Sequence, residues 1–332
     1  MVITTHAYAR AGIVGNPSDG YFGKTISCAI RNFRVTVRLW ESPRLEVLPG
    51  SGDLCQFNSV NEFLRDVKLH GYYGGMRLIK ATIYKFHSYC RKQGITLHGG
   101  NFTIEFESDV PRLVGLSGSS GIVTATMRAL MQFYKVEIPK HYLPTLVLDC
   151  EKGELGIAAG LQDRVIQTYE GIVYMDFAKE LVTTRGYGEY RPLQLRQLPP
   201  LFVAYDPARA EISEVAHRNL RALWEAGDQA VVSSMSKFRD LTDQGKEALL
   251  KSDWDALGKV MNANYDLRRT IMDIPPENHR MIEVARANGA SAHFTGSGGA
   301  IIGLYRDEEH YQKLCQALGQ IRCTVIKPII YG

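Results

Sequence analysis

The chain has 332 residues, more than a single hydrophobic core usually supports, so two packed lobes are expected. Hydrophobic residues make up 45% and charged residues 22%, as in an ordinary globular protein, and no stretch approaches the ~18 apolar residues of a membrane span. The net charge of +4, with Lys and Arg scattered, is too small to indicate a nucleic-acid or membrane partner, but it suits small anionic ligands.

The cysteine pattern indicates reduced thiols. Six cysteines stand far apart and include no Cys-x-x-Cys pair, so neither a disulfide framework nor a zinc site is indicated. No apolar secretory segment follows Met1. We therefore expect a soluble protein of the cytoplasm.

In the N-terminal half, alternating apolar and polar residues predict strands, and apolar residues at helical spacing predict helices. Strands are expected over residues 33–39, 102–106 and 171–176. Helices are expected over most of residues 61–91, with an interruption at residues 71–75, and over residues 122–133.

The clearest boundary signal is the pair Pro199 and Pro200, which cannot lie inside a helix. Beyond it, strands are predicted over residues 201–205 and 300–305, and helices over residues 212–224, 257–265 and 277–288. No linker or internal repeat marks independent domains. The sequence therefore predicts an α+β fold in two lobes, residues 1–197 and residues 198–332.

A turn rich in small and hydroxyl residues, the serine-rich turn (residues 111–121), directly precedes the helix predicted from residue 122. Small side chains let backbone N–H groups approach a ligand, and a helix N-terminus adds partial positive charge. These features favour an anion site, most often for phosphate, although an ordinary serine-capped helix is the alternative. The predicted phosphate-binding residues are Gly115, Leu116, Ser117, Gly118, Ser119, Ser120 and Gly121.

Two further segments flank this turn: the N-terminal motif (residues 7–19) and the C-terminal motif (residues 295–302). In this order the three segments resemble the signatures of the galactokinase, homoserine kinase, mevalonate kinase and phosphomevalonate kinase (GHMP) superfamily. The serine pair follows one extra residue, as in the fucokinase and glucuronokinase branches. Residues 16–25 and 155–165 look like the plant-type glucuronokinases in particular.

This resemblance implies a two-lobed GHMP kinase fold with ATP and Mg²⁺ as cofactors. Its N-terminal lobe would be ribosomal-protein-S5-like and would carry the first two signatures and the catalytic aspartate, and its C-terminal lobe would be ferredoxin-like. The sequence excludes two other routes to phosphoryl transfer, because it has neither a Walker loop nor the His-Arg-Asp and Asp-Phe-Gly motifs of protein kinases.

Two residues are implied to be catalytic. Asp163 would accept the proton of the attacking hydroxyl, and Arg10, at the basic position of the N-terminal motif, would offset the developing charge. The residues alone leave alternatives open: Asp163 could simply form a salt bridge with the adjacent Arg164, and Arg10 could be an ordinary surface charge.

The resemblance also implies a magnesium site. Glu151 lies twelve positions before Asp163, the spacing of the metal-binding glutamate in galactokinase-like enzymes, and Ser120 would add a hydroxyl. Ser119 and Glu154 are rival ligands. A solvated carboxylate on a helix surface is the alternative for Glu151.

Substrate binding is implied for Asn16, Ser18 and Asp19, at the positions where galactokinase-type enzymes carry Glu-His-x-Asp. Only Asp19 matches as a hydroxyl acceptor, which argues against galactose and agrees with the glucuronokinase-like branch. In the C-terminal motif, the stretch Gly296, Ser297 and Gly298 would close the site, with a plain β-turn or bulge as the alternative.

A uronic acid also needs a cation for its carboxylate, ideally an arginine. The sequence leaves four candidates open, which are Lys24, Arg164, Arg185 and Arg191.

Taken together, the resemblance implies an ATP- and Mg²⁺-dependent 1-kinase for a sugar acid, D-glucuronate foremost. Alternative acceptors are galacturonate, fucose, arabinose, galactose or a mevalonate-like alcohol, and a catalytically silent regulator that binds sugar or nucleotide is the alternative of another class. Because Arg10, Glu151 and Asp163 are all present, we expect an enzyme. Its partners would be a small sugar or sugar acid, with no nucleic acid and no membrane, and the protein would be a monomer or homodimer.

Overall fold

Residue contacts divide the chain into two units that interleave along the sequence. The computed structural model describes residues 1–50, 74–208 and 214–331. The first unit consists of Met1–Ala9, Phe33–Val110 and Ser117–Thr168, and the second of Arg10–Asn32, Pro111–Leu116 and Tyr169–Gly332. Two long paired strands, β1 (Val2–Val14) and β2 (Lys24–Glu41), contribute residues to both units. The lobe boundary at residue 198 remains a prediction.

The sheet of the first unit uses the C-terminal half of β2. Strand β3 (Glu46–Val47) pairs in parallel with β4 (Phe102–Ser108), which pairs antiparallel with residues 35–41 of β2. Val35, Val37 and Leu39 are buried, as their period of two predicts. Within the described residues up to 169, the helices are α1 (Gly75–Lys92), α2 (Gly118–Tyr134), α3 (Leu143–Asp149) and α4 (Gln162–Tyr169), with a π-helical turn, Cys150–Glu154, after α3.

A glycine lets the start of α2 approach β2 closely. A Cβ atom added to Gly121 would lie 2.9 Å from Cγ2 of Val35, which is closer than real Cβ contacts allow. The first turn of α2 is therefore held against the strand by backbone-to-side-chain contact.

The second unit contains two sets of paired strands. Residues 24–28 of β2 pair antiparallel with β5 (Ile172–Asp176), which pairs with β6 (Glu189–Pro192). A separate antiparallel sheet has the order β10-β7-β9-β8. Its strands are β7 (Leu201–Tyr205), β8 (Ser291–Phe294), β9 (Ala300–Leu304) and β10 (Thr324–Ile326).

Helices pack on this second sheet, and side chains from both form a buried apolar cluster that includes Phe202, Tyr265, Met281, Ile301 and Leu314. Full burial of such side chains contributes about 1.5–3 kcal/mol each, so the cluster is a major source of stability. The helices found among the described residues of this unit are α5 (Lys179–Arg185), α6 (Glu214–Glu225), α7 (Gln229–Lys251), α8 (Trp254–Arg269), α9 (Pro276–Ala287) and α10 (Glu308–Gly319).

The predicted α+β class is confirmed, and so are most predicted elements. The five predicted strands correspond to β2, β4, β5, β7 and β9, and the predicted helices to α1, α2, α6, α8 and α9. Residues 61–73 and 212–213, where two helix predictions began, lie outside the described residues. Among the helices that the structure describes, none is long and apolar enough to cross a bilayer.

Candidate active site

In the second unit, the side chain of Arg10 joins the N-terminal motif to the two other glycine-rich segments. Arg10 lies in β1 and is buried. Its Nη1 donates hydrogen bonds to the carbonyls of Gly115 (3.0 Å) and Thr295 (2.6 Å), and its backbone N–H donates to the carbonyl of Leu116. Three segments that are remote in sequence therefore meet at one guanidinium.

The backbones of these segments also touch directly, which requires glycine. Gly115 has a φ of +72°, and a Cβ atom there would lie 2.6 Å from the carbonyl oxygen of Gly298. Gly299 has a φ of +76°, and its Cβ would lie 2.9 Å from Cα of Val114. Both the left-handed backbone and the close packing exclude larger residues.

A second buried arginine, Arg268 of α8, ties the C-terminal motif to Asn16. Its Nη1 donates to Asn16 Oδ1 (2.9 Å) and to the carbonyl of Gly296 (2.7 Å), and its Nη2 donates to the carbonyl of Ser297 (2.7 Å). This residue was not predicted from the sequence. Its only signal was its place just after the helix predicted over residues 257–265.

The predicted substrate-binding residues differ in how much of their surface is exposed. Asn16 accepts a hydrogen bond from Arg268. Ser18 is fully buried, and its Oγ donates to the carbonyl of Lys24 (2.9 Å). Asp19 is only half-buried, in a 3-10 turn, Ser18–Tyr21. Asp19 is therefore the member of this group that is most open to a ligand.

An ion-pair network lies at the start of β2. Lys24 Nζ is 2.7 Å from Asp243 Oδ2, and the Tyr174 hydroxyl donates to Asp243 Oδ1 (2.8 Å). Burial raises the pKa of the Asp243 carboxyl, but hydrogen bonds from Lys24 and Tyr174 outweigh it, so the net pKa lies below its ordinary value. Burial likewise lowers the pKa of Lys24, but hydrogen bonding to Asp243 and Tyr174 raises it above the ordinary value. Both groups are thus held in their charged forms.

The remainder of the serine-rich turn, Ser117–Gly121, belongs to the first unit, where it forms the N-terminus of α2. Ser117 adopts a left-handed conformation with φ 67°, and its carbonyl accepts hydrogen bonds from Ser120 Oγ (3.2 Å) and Gln167 Nε2 (2.8 Å). The first N–H groups of a helix have no partner within it and carry partial positive charge. This end of α2 therefore has the local geometry of an anion site.

Glu151 lies in the π-helical turn and is fully buried, so the alternative of a solvated carboxylate is wrong. Its Oε1 accepts from Ser119 Oγ (3.0 Å). Its Oε2 accepts from Arg164 Nε (2.7 Å) and also from Nη2 of the same guanidinium. One edge of the carboxylate is thus fixed by an arginine and the other faces the serine-rich turn.

Asp163 is in the first turn of α4, and the salt bridge with Arg164, which the sequence left as the alternative to a catalytic role, is present. Its Oδ2 lies 3.4 Å from Arg164 Nη1, which also donates to the carbonyl of Gly160 (2.9 Å). Some 19% of the Asp163 side chain is exposed, against 4% for Arg164. Arg164 therefore contacts both Asp163 and Glu151, while only Asp163 keeps a surface that a ligand can reach.

The oxygen atoms at Glu151 are of the chemical type that binds a magnesium ion. Mg²⁺ takes hard oxygen ligands, usually one or two from the protein, and Glu151 Oε1 with a nearby serine hydroxyl are such donors. Glu154 pairs instead with Lys85 (3.6 Å). Across the residues that the structure describes, no group of three or more His, Cys, Asp or Glu side chains is arranged to hold a metal.

Comparison with known proteins identifies the family. The model for the GHMP kinases N terminal domain matches residues 77–171, and that for GHMP kinases C terminal matches residues 246–323. Glucuronokinase 1 of Arabidopsis thaliana is 43% identical over 90% of this chain and 84% of its own, and probable glucuronokinase 2 of the same plant is 44% identical over 91% and 84%.

The fold agrees with this result. The crystal structure of Lactococcus lactis galactokinase complexed with galactose matches with a TM-score of 0.77, covering 99% of this chain and 93% of that one at 15% identity. This chain belongs to the GHMP kinase family. The expected class of enzyme, a phosphotransferase with an alcohol group as acceptor, is thereby confirmed.

Proposed function

We propose that this protein is an ATP-dependent sugar-acid 1-kinase that converts D-glucuronate and ATP to glucuronate 1-phosphate and ADP. The observation that supports the proposal most is the identity of 43–44% with the two Arabidopsis glucuronokinases over nine-tenths of the chain. The presence of Arg10, Glu151 and Asp163 supports an active enzyme rather than a silent regulator.

The phosphates of ATP would bind at the serine-rich turn. The helix N-terminus at Gly118 offers N–H donors and partial positive charge to an anion, and the small residues Gly115–Gly121 let the phosphates approach the backbone. Glu151 Oε1, with Ser120 or Ser119, would hold Mg²⁺. When bound, the ion would neutralise phosphate charge during transfer.

Asp163 would orient the anomeric hydroxyl of the sugar and accept its proton as the hydroxyl oxygen attacks the γ-phosphorus of ATP. The bond from the γ-phosphorus to the bridging oxygen breaks, and ADP leaves. Arg10 would provide fixed positive charge that offsets the charge developing on the attacking oxygen. Asp19 would accept a hydrogen bond from a sugar hydroxyl, with Asn16, Ser18, Gly296, Ser297 and Gly298 shaping the substrate site.

The test is a panel of acceptors. The purified protein is supplied with ATP and Mg²⁺, and ADP and sugar phosphate are measured with glucuronate, galacturonate, fucose, arabinose, galactose and mevalonate. We expect phosphorylation of glucuronate in preference to the others. A preference for another acceptor would keep the kinase and change its substrate, whereas nucleotide binding with no transfer to any acceptor would indicate a silent regulator.

We also propose that the enzyme acts in the cytoplasm as a monomer or homodimer, with no nucleic-acid or membrane partner. The small net charge and the scattered basic residues support this proposal.

A further inference from the structure

The turn that carries Asp19 has a cationic neighbour that the sequence did not suggest. Arg221 of α6 donates a hydrogen bond from Nη2 to the carbonyl of Gly20 (3.0 Å), directly after Asp19. Its guanidinium carbon lies 4.8 Å from the centre of the Tyr21 ring. Arg221 is half-buried, so it lies at the surface of this turn and not beneath it.

The Arg221 guanidinium lies against the ring of Tyr21, which is itself packed in an apolar cluster. Tyr21 is buried and meets Trp224 edge to face at 5.4 Å, within a cluster that includes Leu220 and Phe238. A guanidinium on an aromatic face is attracted by the ring quadrupole, and its plane is fixed by the stacking. The orientation of Arg221 is therefore set before any ligand arrives.

Most N–H donors of the Arg221 guanidinium make no hydrogen bond to the residues that the structure describes. A guanidinium has five N–H donors, and the contact recorded for this one with a described residue is to the Gly20 carbonyl. Glu225, one helical turn further on, is exposed. Asp19 and Glu225 influence the Tyr21 hydroxyl electrostatically, as Arg221 does, so the charge around this turn is mixed.

Three of the four cations that the sequence left open pair with carboxylates within the protein, and Lys179, with its Nζ 6.0 Å from the centre of the Phe22 ring, is a further cation beside this turn. Lys24 pairs with Asp243, Arg164 with Glu151, and Arg191 with Glu189. Arg10 and Arg268 donate to backbone carbonyls of the glycine-rich segments. Arg185 lies exposed in the last turn of α5.

From these contacts we propose that Arg221 is the residue that recognises the carboxylate of the acceptor and so selects a sugar acid over the neutral sugar. The inference rests on the proposed function. A planar guanidinium can pair with a carboxylate through two parallel hydrogen bonds, while Asp19, two residues before Tyr21, accepts from a sugar hydroxyl. Arg221 would act on specificity and not on the transfer step itself.

The test compares two phosphate acceptors that differ only in their carboxyl group, D-glucuronate and its neutral amide, glucuronamide. In the Arg221→Gln variant we expect kcat/KM for glucuronate to fall roughly 10- to 100-fold, the effect of losing hydrogen bonds to a charged group, with the KM for ATP nearly unchanged. The activity with glucuronamide should change little, so the preference for the acid collapses. Arg221→Lys keeps the charge but loses the planar fork of N–H donors, so it should retain part of the preference for the acid.

Arg280→Gln is the matched control, because Arg280 is an exposed arginine of α9 whose recorded ion pair is with Glu283. It should leave the preference intact. An unchanged preference in Arg221→Gln would overturn the inference and leave the proposed function standing, whereas failure of the wild-type protein to phosphorylate glucuronate would reject the proposed function itself. Should Arg221→Gln fail to fold, Arg221→Lys decides: a wild-type preference in that variant would also reject the inference.

Discussion

Arg164 donates two hydrogen bonds to one carboxylate oxygen of Glu151, and both side chains are almost fully buried, with 4% and 0% of their surface exposed. Taking two charges out of water is costly, and their mutual attraction compensates only when both are present. The same guanidinium also touches Asp163. The pair therefore links the stability of the first unit to the two carboxylates proposed to carry the reaction.

Replacement of Arg164 by Gln should destabilise the protein by about 3–5 kcal/mol, because it leaves the Glu151 charge buried without its partner. Chemical denaturation measures the effect. The control is Arg191→Gln, which removes an exposed pair with Glu189 and should change stability little. Equal costs for the two variants would show that the buried pair contributes no more than a surface one.

Replacement of Asp163 by Asn should abolish turnover, by roughly 100- to 10,000-fold or more, because the amide cannot accept the proton of the attacking hydroxyl. ATP binding, measured by calorimetry, should stay within a few-fold of wild type. Asp149→Asn is the control, since Asp149 is a half-exposed carboxylate in the same unit that pairs with Lys85. Normal activity in the Asp163 variant would remove Asp163 from its proposed role.

Replacement of Glu151 by Gln should raise the Mg²⁺ concentration needed for half-maximal activity, because a neutral amide binds a hard cation less well than a carboxylate. Binding of Mn²⁺ to the protein with an ATP analogue, followed by electron paramagnetic resonance, gives a readout independent of turnover. Glu154→Gln is the control and should change neither quantity. If the effect appears in the Glu154 variant instead, the metal ligand is Glu154.

Replacement of Gly115 by Ala should cost more stability than the same change at Gly186. Both glycines have positive φ, so each variant pays about 1–2 kcal/mol for the left-handed backbone. A Cβ at Gly186 would meet open space, but at Gly115 it would collide with the Gly298 carbonyl. Thermal unfolding should therefore show a larger loss for Gly115→Ala, and similar losses would mean that the contact with Gly298 can relax without cost.

The Lys24–Asp243 pair should make stability depend on acid pH. Since the pKa of Asp243 is lowered on folding from its ordinary 3.8, its contribution is present above that value and is lost as the pH falls through the lower folded value. The difference in unfolding midpoint between wild type and Asp243→Asn should therefore be constant near neutral pH and shrink below about pH 4. A difference that persists unchanged to pH 2 would assign the stabilisation to packing.

Local sequence signals were sufficient for the turns and for many elements. The backbone has positive φ at Gly115 and Gly299, and a position with this conformation is usually a glycine, which can be recognised in the sequence. The alternation in residues 33–39 gave the correct face of β2. Helix α7 was not predicted, because its buried positions include Ser234, Thr242 and Gly245, which carry no clear apolar period.

The long-range partners could not be predicted from the sequence. Glu151 lies between a cysteine and a lysine in a charged stretch, and nothing local indicates that it is fully buried against Arg164. Arg268 bonds to Asn16 and Arg221 bonds to Gly20, in each case across more than two hundred positions of sequence. Their importance comes from tertiary packing, which spacing along one chain does not encode.

The interleaved units have a consequence for how the protein is made. All three stretches of the first unit have been synthesised once the ribosome has passed Thr168, but the second needs Arg10–Asn32 to meet segments from the far end of the chain. In a nascent chain, the parts of β1 and β2 within Arg10–Asn32 therefore cannot form all their contacts until translation is nearly finished. Contacts of such sequence separation slow folding and expose unpaired strand edges to aggregation, so co-translational chaperones would matter more for this enzyme than for one whose lobes are consecutive.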